Sequence, residues 1–203
     1  MKAPISKTFI LLCLVITLPG VFSQDYFEFF SGELHHEYWW QNFTMAFQHG
    51  ATGQPMAILL HLGLNLVLIA IVGKEVESIL GTKRFLILSL VAWIGFIVTQ
   101  WISGIWINGS SGIIWAYSPF LLIHFKWAKE NGAYQEKADR SKGILIVMWG
   151  AVTLFMGFVP LLFNPNHSLL HSFFYGNLFH ASATLIGFTL YSTWKDSMEI
   201  PKS

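Results

Sequence analysis

Residues 56–73 read MAILLHLGLNLVLIAIVG and contain no Asp, Glu, Lys or Arg. A helix needs about 20 apolar residues to cross the roughly 30 Å hydrocarbon core of a bilayer, and this run is close to that length. Four more stretches share its character: 85–107, 111–125, 143–163 and 173–194. A sixth, 5–22, is apolar apart from Lys7 and a few hydroxyls. Composition points the same way. The 203 residues are 54% hydrophobic and only 11% charged, whereas a soluble domain carries about 25% charged residues. Soluble globular and disordered classes are thereby excluded. A net charge of +1 supplies no basic patch for nucleic acid. Cys13, the one cysteine, excludes a disulfide framework and a cysteine-based zinc site. The expectation is an all-α membrane protein: one domain, 1–203, built as a six-transmembrane-helix bundle with a long first outer loop and a short fourth helix.

The basic residues orient that bundle. With six spans, all 12 Lys and Arg fall on one side, and the opposite segments 23–55, 108–110 and 164–172 contain none. The positive-inside rule then makes both termini cytoplasmic. Residues 5–22 read equally well as a span or as a signal peptide, because Lys2 and Lys7 precede the apolar run and Val21-Phe22-Ser23 resembles a cleavage site. Either reading leaves the following loop outside. That loop is rich in aromatic residues, among them Phe27, Phe29, Phe30, Trp39, Trp40 and Phe43, so it belongs at the membrane interface.

Ionisable groups inside spans are costly, and a functional site is the default hypothesis for them. His61 and Asn65 are four residues apart and share one helix face. His180 lies in the sixth span. The fourth span opens with Gly109-Ser110-Ser111-Gly112. From Lys126 back to Ser111 is about 22 Å at 1.5 Å per residue, about 8 Å short of a full crossing. Ser111 therefore belongs below the outer surface, in the same layer as His61, Asn65 and His180. A serine hydroxyl becomes a nucleophile when a base takes its proton, and His180 at that depth is the candidate base. A helix N-terminus at Ser111 places free N–H groups and a positive dipole end beside it, suited to an oxyanion. Gly109 and Gly112 clear the approach. Asn65, and His61 as a donor, are candidates to complete the oxyanion hole. The spans hold no carboxylate to act as a third catalytic member.

Taken singly, each residue has a plainer reading. A lone intramembrane His more often joins helices by hydrogen bonding, and small residues such as Gly-Ser-Ser-Gly also mark close helix packing. Thr99 and Gln100 read as packing residues. His124 reads as interfacial, and His35, His36, His49, His167 and His171 as solvated loop residues. The shared depth of four polar groups favours a site.

These residues resemble the rhomboid intramembrane serine proteases, over about residues 37–193. His61-Leu-Gly-Leu-Asn65 is similar to the family's H-x-x-x-N motif. Gly73, Glu77 and Gly81 resemble its G-x-x-x-E-x-x-x-G turn. Gly109-Ser110-Ser111-Gly112 resembles its G-x-S-G nucleophile motif, which selects Ser111 over Ser110. His180, Ala183 and Gly187 resemble its H-x-x-G-x-x-x-G helix face. The resemblance implies Ser111 as nucleophile and His180 as general base. It implies an oxyanion hole from Asn65, His61 and the Gly109–Ser111 backbone, and an aromatic at Trp115 packed on His180. His49 resembles a first-loop histidine of the family, and the fifth span with the loop after it would form gate and cap. The implied activity is that of a serine endopeptidase, cutting transmembrane-helix protein substrates within the lipid bilayer without metal or cofactor. Trp40-Gln41 departs from the family's frequent Trp-Arg, Ala183 replaces a Gly, and Trp115 is bulkier than the usual Tyr.

Two other functions compete. A non-catalytic rhomboid-like protein would bind transmembrane helices without cutting them, but such relatives usually lack the Ser or the His. A cytochrome or metal transporter would use His61 and His180, but it lacks a second His pair and an intramembrane carboxylate. A simple six-span plan leans toward a prokaryotic inner (plasma) membrane. Asn42, Asn108 and Asn166 open N-x-S/T matches in outer segments, relevant only on a secretory route.

Overall fold

A computed structural model describes residues 3–31, 37–130, 143, 146 and 169–197. Nearly all of the expected fifth span, the loop after it, and His35, His36 and His167 lie outside the described residues. Within them every regular element is helical: α1 Pro4–Thr17, α2 Gln24–Phe30, α3 Gln41–Thr44, α4 Pro55–Leu68, α5 Lys74–Ser103, α6 Ser111–Ile114, α7 Ser118–Glu130 and α8 Leu169–Trp194. A π-helical turn, Ile69–Gly73, joins α4 to α5, and a 3-10 turn, Trp115–Tyr117, joins α6 to α7. The helical stretches Pro4–Val21 and Pro55–Ser103 are long and apolar enough to cross a membrane, the latter interrupted at Gly81 by non-helical backbone.

The burial pattern is that of helices packed in lipid. α1 buries Ser6, Phe9, Cys13 and Thr17 on one face, while Leu11, Leu12 and Val15 stay exposed on the other. α4 buries Ile58, Leu62, Asn65 and Leu68 and exposes Leu59, Leu60 and Val67. Both faces are apolar, so the hydrophobic effect does not distinguish inside from outside. Close packing and hydrogen bonds do. Gly95 and Gly112 accept the side chains of Ile186 and Phe96. Thr99 Oγ1 donates to Ser182 Oγ at 3.2 Å, tying α5 to α8. Thr99 is thus a packing residue with a named partner.

The N-terminal helix is held at its first turn. The backbone N–H groups of Ile5 and Ser6 donate to the two oxygens of Glu77 at 3.1 and 3.0 Å. The Ser6 hydroxyl donates to the same carboxylate at 2.8 Å. These are N–H groups without intrahelical acceptors, and an anion there is favoured by the helix dipole.

α5 ends earlier than the apolar run 85–107 suggests. Gly104 adopts a left-handed conformation (φ 67°) and closes α5. Residues 105–107 fold back into a loop in which Gln100 Oε1 accepts from the Ile107 N–H at 3.1 Å. Between α6 and α7 the helix tightens at Trp115–Tyr117. Pro119 has no N–H to offer the Trp115 carbonyl, and the Ser118 hydroxyl donates to that oxygen instead, at 2.7 Å.

The described residues between α1 and α4 pack closely together. Gln41 is buried and uses both ends of its amide. Oε1 accepts from the N–H groups of Glu37 and Tyr38, and Nε2 donates to the carbonyls of Glu28 and Ser31. The glutamine that departs from the family's Arg therefore anchors the loop. Tyr38 and Trp40 stack beside it at 4.3 Å. Asn42 and Asn108, two of the N-x-S/T asparagines, are buried.

Candidate active site

The loop 105–110 delivers the nucleophile candidate to the start of α6. Asn108 Nδ2 donates to Ser31 Oγ at 2.8 Å. The Gly109 N–H donates to the Met45 carbonyl at 2.9 Å. Gly109 takes φ 129°, and a Cβ there would sit 2.9 Å from Cε1 of His61. Only glycine permits that backbone beside that ring. The N–H of Gly109, expected in the oxyanion hole, is engaged by the Met45 carbonyl in this structure, and the absence of a side chain leaves clearance for His61.

Ser111 is the first residue of α6. Its hydroxyl lies 3.1 Å from Nε2 of His180, although the two are far apart in sequence. His180 is 6% exposed, carried by α8. The Trp115 ring lies against it, with centroids 5.2 Å apart and planes tilted by 33°. For Nε2 to accept the serine proton, Nδ1 must carry hydrogen. Among the described residues that Nδ1 is buried and makes no hydrogen bond, so no acidic group contacts the imidazole there.

His61 and Asn65 line the same turn from α4. The N–H of Gly50 donates to His61 Nδ1 at 3.0 Å. A neutral imidazole accepting at Nδ1 is protonated at Nε2, the atom beside the Gly109 backbone. His61 therefore offers a donor toward the loop that precedes Ser111. Asn65 is 2% exposed. Its Nδ2 donates to the His61 carbonyl at 3.0 Å, and its Oδ1 accepts from the Ser110 hydroxyl at 3.2 Å.

His49 is not a solvated loop residue. It is fully buried, with Nδ1 at 2.9 Å from the Phe47 carbonyl and Nε2 accepting from the Ser110 N–H at 3.2 Å. The carbonyl demands hydrogen on Nδ1, which leaves Nε2 as acceptor for Ser110. The Thr17 hydroxyl of α1 joins this group, donating to Phe47 O at 2.8 Å. Burial holds His49 well below the usual imidazole range, and the adjacent His61 adds to the effect. In the sequence His49 is marked only by its resemblance to a family histidine and otherwise reads as solvated, and Ser110 is passed over in favour of Ser111. A His separated from the H-x-x-x-N helix by a glycine-containing loop carries no spacing signal, and Ser110 is hidden by its better-placed neighbour.

The arrangement brings a hydroxyl, an imidazole acceptor and amide and imidazole donors to one buried turn. A family model described as Rhomboid domain matches residues 36–194. That match covers most of the chain and all of these residues, in agreement with the motif resemblance. The chain belongs to the rhomboid family and is an integral membrane protein.

Proposed function

We propose that this protein is an intramembrane serine protease that hydrolyses peptide bonds in or near the transmembrane segments of membrane-protein substrates. The observation that carries the proposal is the 3.1 Å contact between Ser111 Oγ and His180 Nε2. Ser111 Oγ attacks the scissile carbonyl carbon while its proton passes to His180 Nε2. The carbonyl oxygen becomes an oxyanion, met by the Ser111 N–H at the helix start, by Asn65 Nδ2 and by His61 Nε2–H. His180 then protonates the leaving amine, and the C–N bond breaks to leave an acyl-serine. A water molecule, deprotonated by His180, attacks that ester and regenerates the hydroxyl. Trp115 against the imidazole holds the ring in the orientation this transfer requires. Six spans with both termini cytoplasmic would open the site toward the outer half of a prokaryotic inner membrane.

A non-catalytic helix-binding relative is the alternative. It gives no reason for a serine and a histidine on different helices to meet at hydrogen-bond distance. A metal or haem role for His61 and His180 is disfavoured by occupied lone pairs: His61 Nδ1 accepts from Gly50 and His180 Nε2 faces Ser111. Detergent-purified protein treated with a fluorophosphonate probe tests the proposal. Labelling that disappears in Ser111→Ala and in His180→Ala, with helix content intact, supports it. Substrate cleavage that survives either substitution rules the dyad out.

A further inference from the structure

We infer that Ser110, the residue before the nucleophile, is a positioning residue that orients the Asn65 amide for the oxyanion. The inference deepens the protease reading and rests on it. Ser110 is 1% exposed and is gripped at both backbone and side chain. Its N–H donates to His49 Nε2 at 3.2 Å. Its hydroxyl lies 3.0 Å from the same nitrogen and 3.2 Å from Asn65 Oδ1. Because the lone pair of His49 Nε2 is engaged by the Ser110 N–H, the single hydroxyl proton is directed to Asn65 Oδ1.

That contact decides which way the asparagine faces. Its amide is held with oxygen toward Ser110 and nitrogen toward the His61 carbonyl. The reverse orientation would set carbonyl against carbonyl at His61. Of the two N–H bonds on Nδ2, one is committed to His61 O and the other stays available to a developing oxyanion. An alanine at position 110 would keep the His49–backbone contact and lose only the hydroxyl. Asn65 would then be held by its nitrogen alone, with a buried Oδ1 lacking its partner.

The experiment is a double-mutant cycle on the full-length protein in detergent, using a cleavable transmembrane peptide, with Ser110→Ala, Asn65→Ala and the pair. Ser110→Ala is expected to lower kcat about fivefold to tenfold, as for loss of one neutral hydrogen bond, with KM changed less than about twofold. In the Asn65→Ala background the same substitution is expected to cost under about twofold in kcat. Equal losses in both backgrounds, or no loss in wild type, overturn the inference. Ser110→Cys keeps nearly the same volume and only a weak donor. It replaces alanine in the cycle should that variant fail to fold, with the same criteria. A second readout does not need turnover: the side-chain amide resonances of 15N-labelled Asn65 should shift and broaden in Ser110→Ala, and unchanged resonances overturn the inference. Ser111→Ala in parallel separates the two levels. Cleavage persisting in Ser111→Ala removes the protease reading, whereas loss in Ser111→Ala with additive Ser110 and Asn65 effects removes only the role of Ser110.

Discussion

His49 shows how a single residue ties the segment between α1 and α4 to the turn that carries Ser110 and Ser111. Its neutral form donates from Nδ1 to Phe47 O and accepts at Nε2 from the Ser110 N–H. Protonation would put a second N–H against that backbone N–H. The depressed folded-state pKa therefore stabilises the protein at pH values above about 6.5, the ordinary imidazole range. Stability is lost as pH falls below that value, because the unfolded chain takes up a proton that the folded chain refuses. His49→Gln is expected to be less stable than wild type at pH 7.5 and to lose stability less steeply between pH 6.5 and 5, by up to about one proton. Thermal melts across that range check this; parallel pH profiles for the two proteins would remove His49 from the response. Ser111 and His180 belong to the same scale. Each is expected to be indispensable to cleavage, since the neighbouring Ser110 hydroxyl and His49 imidazole are committed to each other and to Asn65.

The elements meet where small residues let them. Gly187 on α8 faces the 3-10 turn after Ser111, and a Cβ there would lie 2.2 Å from the Ala116 carbonyl oxygen. The obstacle is backbone, so α8 itself would have to move, and with it His180 two turns away. Ala183, where a glycine is more common in the family pattern, is buried at 2% exposure and fits without such a conflict. Gly187→Ala is expected to cost about 1–3 kcal/mol of stability through overpacking and to weaken fluorophosphonate labelling more than its stability loss explains. Calorimetry beside labelling kinetics checks this; wild-type labelling would show that α8 adjusts without disturbing the dyad.

For the whole molecule, the open question at the sequence level was the standing of the first helix. α1 supplies Ser6 to Glu77 and Thr17 to the Phe47–His49 group. Glu77 is a 3% exposed carboxylate, and removal of α1 would strip it of the Ile5 N–H, Ser6 N–H and Ser6 hydroxyl donors, a cost for a charge within a membrane protein. Retention of residues 4–21 in the working protein is accordingly expected, and intact mass spectrometry of purified protein reads it directly. A mature mass lacking the first 22 or 23 residues would contradict this. Glu77→Gln probes the same contact, because its amide NH2 would present donors to the N–H of either Ile5 or Ser6, which bond to different oxygens of the carboxylate. It is expected to lower stability by about 1–3 kcal/mol.

Much of this protein is legible from its residues in order. The uncharged apolar runs demand helices in lipid, because a span without internal hydrogen bonding is not tolerated there. The shortness of the run from Ser111 to Lys126 places the serine at the head of a short helix, and α6 begins at that residue. The helical spacing of His61 and Asn65 puts them on one face, as observed. What periodicity does not encode is contact between segments remote in sequence. The ends of α5, decided by Gly104 and the Gln100 side chain, escaped a reading based on hydropathy because Ile105, Trp106 and Ile107 are as apolar as the helix before them. The burial of His49 and Gln41 depended on the segment between α1 and α4 folding against α1, α2 and the start of α6. The orientation of Asn65 depended on a hydroxyl 45 positions away. Sequence alone determined the membrane setting and the described apolar helices, which follow from local composition and spacing, and its motif resemblance pointed to Ser111 and His180 as candidates. Only the tertiary structure decided the hydrogen-bond partners of the buried polar groups, because each partner is selected by three-dimensional distance once water is excluded.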